Sequence, residues 1–175
     1  IIAGGTESMR LVPTAGWKTV PSYNIAKDDP DYYLGMGLTA EAVAKDYSIS
    51  RESQDEFSYN SHQKAIAAIQ NGYFKPGILP INVEETYLDE KGKKQKRNYV
   101  VDTDEGPRAD TSIEALSKLK PAFATGGSVT AGNSSQTSDG AAFVVVMSEK
   151  MMTELGLKPI GRLVSSAVAG VHPRI

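Results

Sequence analysis

The sequence predicts an α/β chain, and three observations predict it. Two apolar segments lie far apart, IIA at residues 1–3 and FVVVM at 143–147. A long stretch after Ser50 carries helical spacing, and two segments either side of Gly92 alternate with period two.

Taken in order, residues 1–3 read as the end of a buried strand, with Gly4-Gly5 as a tight turn. Residues 10–30 hold three prolines, Trp17 and the cluster KDDPD without a sustained period, which predicts an irregular surface segment. Thr39 is expected to cap a helix over EAVAKDYS, with Ala42, Val43 and Ala44 on its apolar side. Ser50 caps the next helix, RESQDEF onward, which Asn71-Gly72 ends. Its expected packing face is Phe57, Ser61, Ala65, Ala68 and Ile69, and its polar face Glu52, Asp55, Gln63 and Lys64. His62 on this helix reads as an ordinary boundary residue rather than a ligand.

Beyond Lys75-Pro76-Gly77, Leu79, Ile81 and Val83 alternate with Pro80, Asn82 and Glu84, and Tyr99 and Val101 alternate with Asn98 and Val100. The Gly92 turn between them predicts a β-hairpin bearing Lys91, Lys93, Lys94, Lys96 and Arg97. Those cations fit a solvated hairpin that blunts an edge strand, or an electrostatic funnel for an anionic ligand. Asp102, Asp104 and Glu105 resemble part of a calcium loop, but Gly106 comes one position early for one. A short helix, TSIEALSKL, ends before Lys120-Pro121, and the loop GGSVTAGNSSQTSDGAA (126–142) leads into the FVVVM strand, expected to be buried.

The chain has 175 residues, enough for one domain or two small ones. Its 19 basic and 21 acidic residues leave a net charge of -2, which gives no basis for nucleic-acid or membrane-surface binding. The absence of cysteine excludes a disulfide scaffold, a thiolate metal site and a Cys nucleophile carried by these residues. No apolar run approaches the roughly 20 residues that span a bilayer. The start, IIAGGTESMR, lacks an initiator Met and a signal-like segment, so the chain reads as one entered in the middle. A reducing cytoplasm is the expected compartment.

The glycine-rich loop is not a nucleotide loop. Gly127 and Gly132 have the Walker interval, but Asn133 stands where the phosphate-binding Lys is required. No G-x-G-x-x-G occurs, and the strand follows the loop instead of preceding it. What remains is a loop of small side chains whose backbone a ligand can approach closely.

The order of six segments resembles a thiolase: AGGTESM, MGLTAEAVA, SISRESQDEFSYNSHQKAIAA, GYFKPGILPI, LSKLKPAFATGGSVTAGNSSQTSDGAAFVVVMS and GLKPIGRLVSSAVAGVHPRI. The resemblance covers essentially the whole chain. Ser135-Gln136 and DYYLGMG are more similar to the degradative 3-ketoacyl-CoA thiolases of fatty acid β-oxidation than to the biosynthetic acetoacetyl-CoA enzymes. It implies a partial thiolase-like fold, a fragment of a layered αβαβα core with an inserted α+β loop domain. The implied boundaries are residues 1–9 as a strand and turn of the N-terminal domain, and 10–124 as the loop domain. Residues 125–158 return to the N-terminal domain, and 159–175 begin a C-terminal one.

The implied reaction is thiolysis of a 3-ketoacyl-CoA by CoA to acetyl-CoA and a shortened acyl-CoA, or the reverse Claisen condensation. Family catalysis uses two Cys, a His and an oxyanion hole. None of these is expected here, and His172 in AGVHPRI is assigned no catalytic role. Coenzyme A is the implied substrate, with no further cofactor and no metal, and the intact assembly is a homodimer or homotetramer.

Five positions match family CoA or substrate contacts. Arg108 would stack on the adenine, or form a surface ion pair with Asp104 or Asp110. Ser135 would hydrogen-bond the pantetheine arm, or stabilise its own loop, with Ala131 as a small wall beside it. Phe123 and Met36 would line the pantetheine tunnel and acyl pocket, or pack as plain core. Gly35 stands before Met36 where relatives often carry His. The rival to an acyltransferase piece is a non-catalytic CoA-binding or scaffolding module.

Overall fold

A computed structural model describes residues 1–9, 11, 13 and 16–174. In chain order it contains β1 (Ile2–Glu7), α1 (Tyr23–Asp28), a 3-10 turn (Pro30–Tyr33), α2 (Met36–Asp46), α3 (Arg51–Gln70), a second 3-10 turn (Lys75–Gly77), β2 (Ile81–Leu88), β3 (Lys94–Val101), α4 (Ile113–Ser117), β4 (Gly140–Val145) and α5 (Glu149–Glu154). The chain forms two compact units, Ala44–Ser134 and Ile1–Val43 with Ser135–Ile175.

In the unit that holds both termini, β1 pairs antiparallel with β4, from Ile2↔Val145 to Glu7↔Gly140. Gly4 and Gly5 therefore lie inside the strand and form no turn. At Gly4 the space for a side chain is taken by the Phe143 ring and the Ala142 carbonyl, so only glycine fits opposite that phenylalanine. The expected burial of this strand pair is not seen. All six residues of β4 are exposed, Phe143 at 63%, because no further layer covers either face of the ribbon among the described residues.

Two local expectations also change. Residues 10, 12, 14 and 15 lie outside the described residues, but α1 occupies 23–28 of the segment read as irregular. A helix of one and a half turns is too short to show a period. Thr39 is not a cap. Its N–H donates to the Gly35 carbonyl inside α2, which starts at Met36, and its buried Oγ1 has no partner. Helix α5 is capped by Ser148, whose Oγ accepts from Met151 N–H at 3.2 Å.

In the other unit, Ser50 caps α3 as expected, with Ser53 N–H donating to its Oγ at 3.2 Å. Gly72, at φ +72, ends the helix in the left-handed conformation that favours glycine. The packing face matches the expected one at Ala65, Ala68 and Ile69 and departs from it in the first half of the helix. Phe57 is 78% exposed, and the one fully buried residue of α3 is Asp55. The inward row is Arg51, Gln54, Asp55, Ser58, Tyr59, His62, Ala65, Ile66, Ala68 and Ile69, so Phe57 and Ser61 of the expected face are the two that point outward. Helix α4, capped by Ser112, packs on α3, and Leu116 on it is buried, as are Val129 and Thr130 of the following loop. Burial of a leucine of this kind contributes about 2 kcal/mol.

The predicted hairpin is present, with β2 and β3 in register from Ile81↔Val101 to Leu88↔Lys94. Asp89 organises its turn: Oδ1 accepts from Lys91 and Lys93 N–H at 2.9 and 2.8 Å, and Oδ2 from the Gln95 amide at 2.9 Å. These bonds, the Gln95 amide foremost, hold the Asp89 carboxyl below its ordinary value of 3.8.

Candidate functional site

The first turn of α3 starts a polar network that ends in the glycine-rich loop. Arg51 Nε donates to Asp55 Oδ2 at 2.7 Å, one turn along the helix. Its Nη2 donates to the carbonyls of Leu116 and Leu119 at 2.6 and 3.1 Å, which satisfies the end of α4. The other carboxylate oxygen, Asp55 Oδ1, accepts from Asn133 Nδ2 at 3.1 Å. Asn133 Nδ2 also donates to the Ser128 carbonyl at 3.0 Å, and its Oδ1 accepts from Thr130 N–H at 2.7 Å. Thr130 Oγ1 then accepts from Gly132 and Asn133 N–H at 3.2 and 3.3 Å, and Ser134 Oγ donates to the Thr130 carbonyl at 2.6 Å. Gln54 Nε2 adds a bond to Ser128 Oγ at 3.0 Å. Asp55 and Thr130 are 1% and 0% exposed. Burying a carboxylate is tolerated here because it has a cation and an amide donor as partners.

Of the matched positions, Ala131 lies in the loop that this network holds. Ala131 is exposed on the turn between Thr130 and Gly132. Gly132 makes no room for a ligand: the place of its missing Cβ lies 2.5 and 2.6 Å from the Leu119 and Leu116 methyls, so its smallness serves the core. Phe123 is 47% exposed, next to Ala122, whose N–H donates to the Val129 carbonyl. Met36 begins α2 at 76% exposure, so neither Phe123 nor Met36 is a buried core residue of this chain. Ser135 is exposed and its Oγ donates to the Gln136 carbonyl at 3.2 Å. Arg108, Phe123 and Ala131 belong to Ala44–Ser134, and Met36 and Ser135 to the other unit.

Arg108 forms the ion pair that its sequence neighbours offered. Its Nε and Nη2 donate to Asp110 Oδ1 and Oδ2 at 3.2 and 3.0 Å. The carboxylate raises the guanidinium pKa further above its ordinary value and is itself held below its own. The Arg108 backbone is tied to α3, its N–H donating to His62 Nδ1 at 3.1 Å. His62 is thus a half-buried acceptor that fixes the path of the Arg108 segment. On the hairpin, Lys96 pairs with Glu84 and Arg97 with Glu85, both at 2.7 Å. Arg97 also lies over the Tyr87 and Tyr99 rings at 5.7 and 5.2 Å. A shallow groove on the hairpin, lined by Asn82, Val83, Glu84, Asn98, Tyr99 and Val100, shares no residue with the matched positions.

Comparison with known proteins bears on what this scaffold serves. The family "Thiolase, N-terminal domain" matches residues 1–150. The chain belongs to the thiolase family. It is 48% identical over 174 residues to a 3-ketoacyl-CoA thiolase of Bacillus subtilis, covering 99% of this chain and 44% of that protein. It is 45% identical over 189 residues to an acetyl-CoA acetyltransferase of Pseudomonas aeruginosa, covering 100% of this chain and 46% of that one. Among solved structures it is similar to the Bacillus anthracis acetyl-CoA acetyltransferase (TM-score 0.73, 38% identity, 99% and 44% coverage). It is also similar to the dimeric peroxisomal thiolase of Saccharomyces cerevisiae (TM-score 0.72, 37% identity, 92% and 39% coverage). The α/β class and the partial thiolase fold expected from the sequence are those of these neighbours. The chain spans less than half the length of the curated relatives it matches.

Within this thiolase chain, the residues that sequence reasoning missed are Arg51, Asp55, Thr130 and Asn133. The one available signal was the Arg51/Asp55 spacing of four at a helix start. Asn133 entered only as a missing Lys. Among the described residues no group of three or more His, Asp or Glu could hold a metal ion, and no helix is long and apolar enough to cross a membrane.

Proposed function

We propose that this chain is the CoA-contacting part of a thiolase acyltransferase of the degradative type, which cleaves a 3-ketoacyl-CoA with free CoA to acetyl-CoA and a shortened acyl-CoA. The observation that carries the proposal is family membership over residues 1–150, joined to 48% identity with a 3-ketoacyl-CoA thiolase along nearly the whole chain. Arg108, its guanidinium plane held by Asp110 and its backbone by His62, stacks on the adenine. Ser135 bonds the pantetheine arm, Ala131 gives that arm a small wall, and Phe123 and Met36, both exposed apolar side chains, line its channel. The 175 residues contain no cysteine, so the acyl group is not carried by this chain. In this reading residues 10–124 form the loop domain, the active enzyme is a homodimer or homotetramer in the cytoplasm, and CoA is substrate with no cofactor beside it.

With Lys96 and Arg97 engaged by glutamates, the anion funnel on the hairpin narrows to Lys91, Lys93 and Lys94 at its tip. Two measurements test the reading. A mass-verified 175-residue chain should release no acetyl-CoA from acetoacetyl-CoA and CoA, and turnover by it would overturn the assignment of roles. In the full-length protein, charge reversal of Lys93 and Lys94 should raise the apparent KM for CoA at low salt, and less at high salt. An unchanged KM at low salt removes the funnel.

A further inference from the structure

The buried network of residues 44–134 ends at a stretch that the CoA reading uses, yet none of its members is among the proposed CoA contacts. Ala131 is fixed from both sides. Before it, Thr130 N–H is held by Asn133 Oδ1 at 2.7 Å; after it, Gly132 N–H reaches Thr130 Oγ1 at 3.2 Å. Gly132 is also pinned against Leu116 and Leu119, which leaves its backbone no space to move inward. Asn133 is itself oriented, since Nδ2 donates to both Asp55 Oδ1 and the Ser128 carbonyl while Oδ1 accepts from Thr130. With both amide donors and the carbonyl engaged, a flip of the side chain would break every one of these bonds. Asp55 is held in turn by Arg51, which is anchored on two α4 carbonyls.

We infer that Asp55 and Asn133 are positioning residues for coenzyme A. They do not touch it, but they set the backbone at Ala131 from a helix 78 positions away in sequence. The inference rests on the reading of Ala131 as a wall of the pantetheine channel. Leu116 and Val129, at 4% and 5% exposure, are the apolar part of this core. What the polar network adds is a single geometry for the loop, since a satisfied buried network admits few alternatives.

The test uses the full-length protein, with CoA titrated calorimetrically and hydrogen exchange followed at the Thr130, Gly132 and Asn133 amides. Asn133→Asp keeps an acceptor for Thr130 N–H, removes the donor, and sets a second carboxylate against Asp55. Its loop amides should exchange faster and its CoA affinity should fall about tenfold or more, the scale on which an ångström of misplacement is felt. Asp55→Asn retains an acceptor for Asn133 and should lose less. The double variant Asp55→Asn/Asn133→Asp restores one donor and one acceptor across the pair and should recover part of the affinity. Ala131→Leu should leave loop exchange unchanged and still weaken CoA. If Ala131→Leu binds CoA as wild type does, the channel reading fails. If Ala131→Leu weakens binding while Asn133→Asp, despite faster exchange, binds CoA normally, the positioning role is overturned. Unchanged exchange in Asn133→Asp overturns it as well. Should Asn133→Asp fail to fold, Asp55→Asn decides by the same two readouts.

Discussion

The loop–helix core around Asp55 and the β1–β4 ribbon invert what hydrophobicity alone would dictate. In the core, the charged and polar residues Asp55 and Thr130 are the most buried side chains. In the ribbon, Phe143, Val144 and Val145 are all more than half exposed. The difference lies in partners. Each polar atom of the core has a donor or acceptor within hydrogen-bond reach, so leaving water costs it little. The ribbon has a complete ladder between its two strands and no layer above or below it among the described residues. Burial is therefore a property of which surfaces meet, and a residue's own polarity only biases it.

The sharpest way to break this contrast is to remove the core's charge partner. Asp55→Ala should destabilise the Ala44–Ser134 unit by about 3 kcal/mol, because it leaves the half-buried Arg51 cation without its carboxylate and the Asn133 amide one acceptor short. Hydrogen exchange of peptides from that unit should report it, and a loss under 1 kcal/mol would mean that the network is ornamental to stability. Thr130→Val keeps shape and removes the acceptor of Gly132 and Asn133 N–H; a loss of roughly 2 kcal/mol is expected in the same assay.

Effects in the ribbon should be smaller. Gly4→Ala places a Cβ against Phe143 and the Ala142 carbonyl. The ring is exposed and can swing away whereas the carbonyl cannot, so about 1 kcal/mol should be lost locally. Adding Phe143→Ala should recover only part of it, as read by exchange at the paired amides of β1 and β4.

The hairpin sharpens the comparison through pH. Asp89 has a folded pKa below its ordinary value, so its contribution is fully present above about 3.8 and is lost as pH falls through the lower folded value. Amide exchange at Lys91 and Lys93, corrected for the intrinsic pH dependence of exchange, should lose protection below pH 3.8, and Asp89→Asn should flatten that dependence. The smallest effect is expected from Phe57→Ala. It lies two positions from Asp55 on the same helix but is 78% exposed, so the change should stay within about 0.5 kcal/mol. A Phe57 effect as large as that of Asp55 would reverse the assignment of the α3 faces.

Much of the local structure was legible because its causes lie within a few residues. Ser50 and Ser112 each accept a hydrogen bond from an N–H three positions on, and Gly72 and Gly92 take positive φ at a helix end and a hairpin turn. Period-two alternation gave the hairpin, and the ordered segments gave the thiolase resemblance. The phase of α3 was legible only in its second half, at Ala65, Ala68 and Ile69. Its apolar residues are spread around the helix, and the inward face is chosen by bonds to α4 and to the glycine-rich loop. Arg108 shows the same division: its pairing with Asp110 was foreseeable at a separation of two, its tie to His62 at 46 was not.

By itself, then, the sequence determined the Ser50 cap, the chain reversals at Gly72 and Gly92, the hairpin's strand pattern and the family, all of which depend on short-range chemistry or on the order of segments. Only the tertiary structure decided that Gly132 serves the core, that Asp55 is interior, and that Asn133, first noticed as a missing lysine, joins α3 to the loop. Hydrogen bonds that span 78 residues leave no periodic trace in the chain, because each partner's neighbours in sequence are chosen by other contacts.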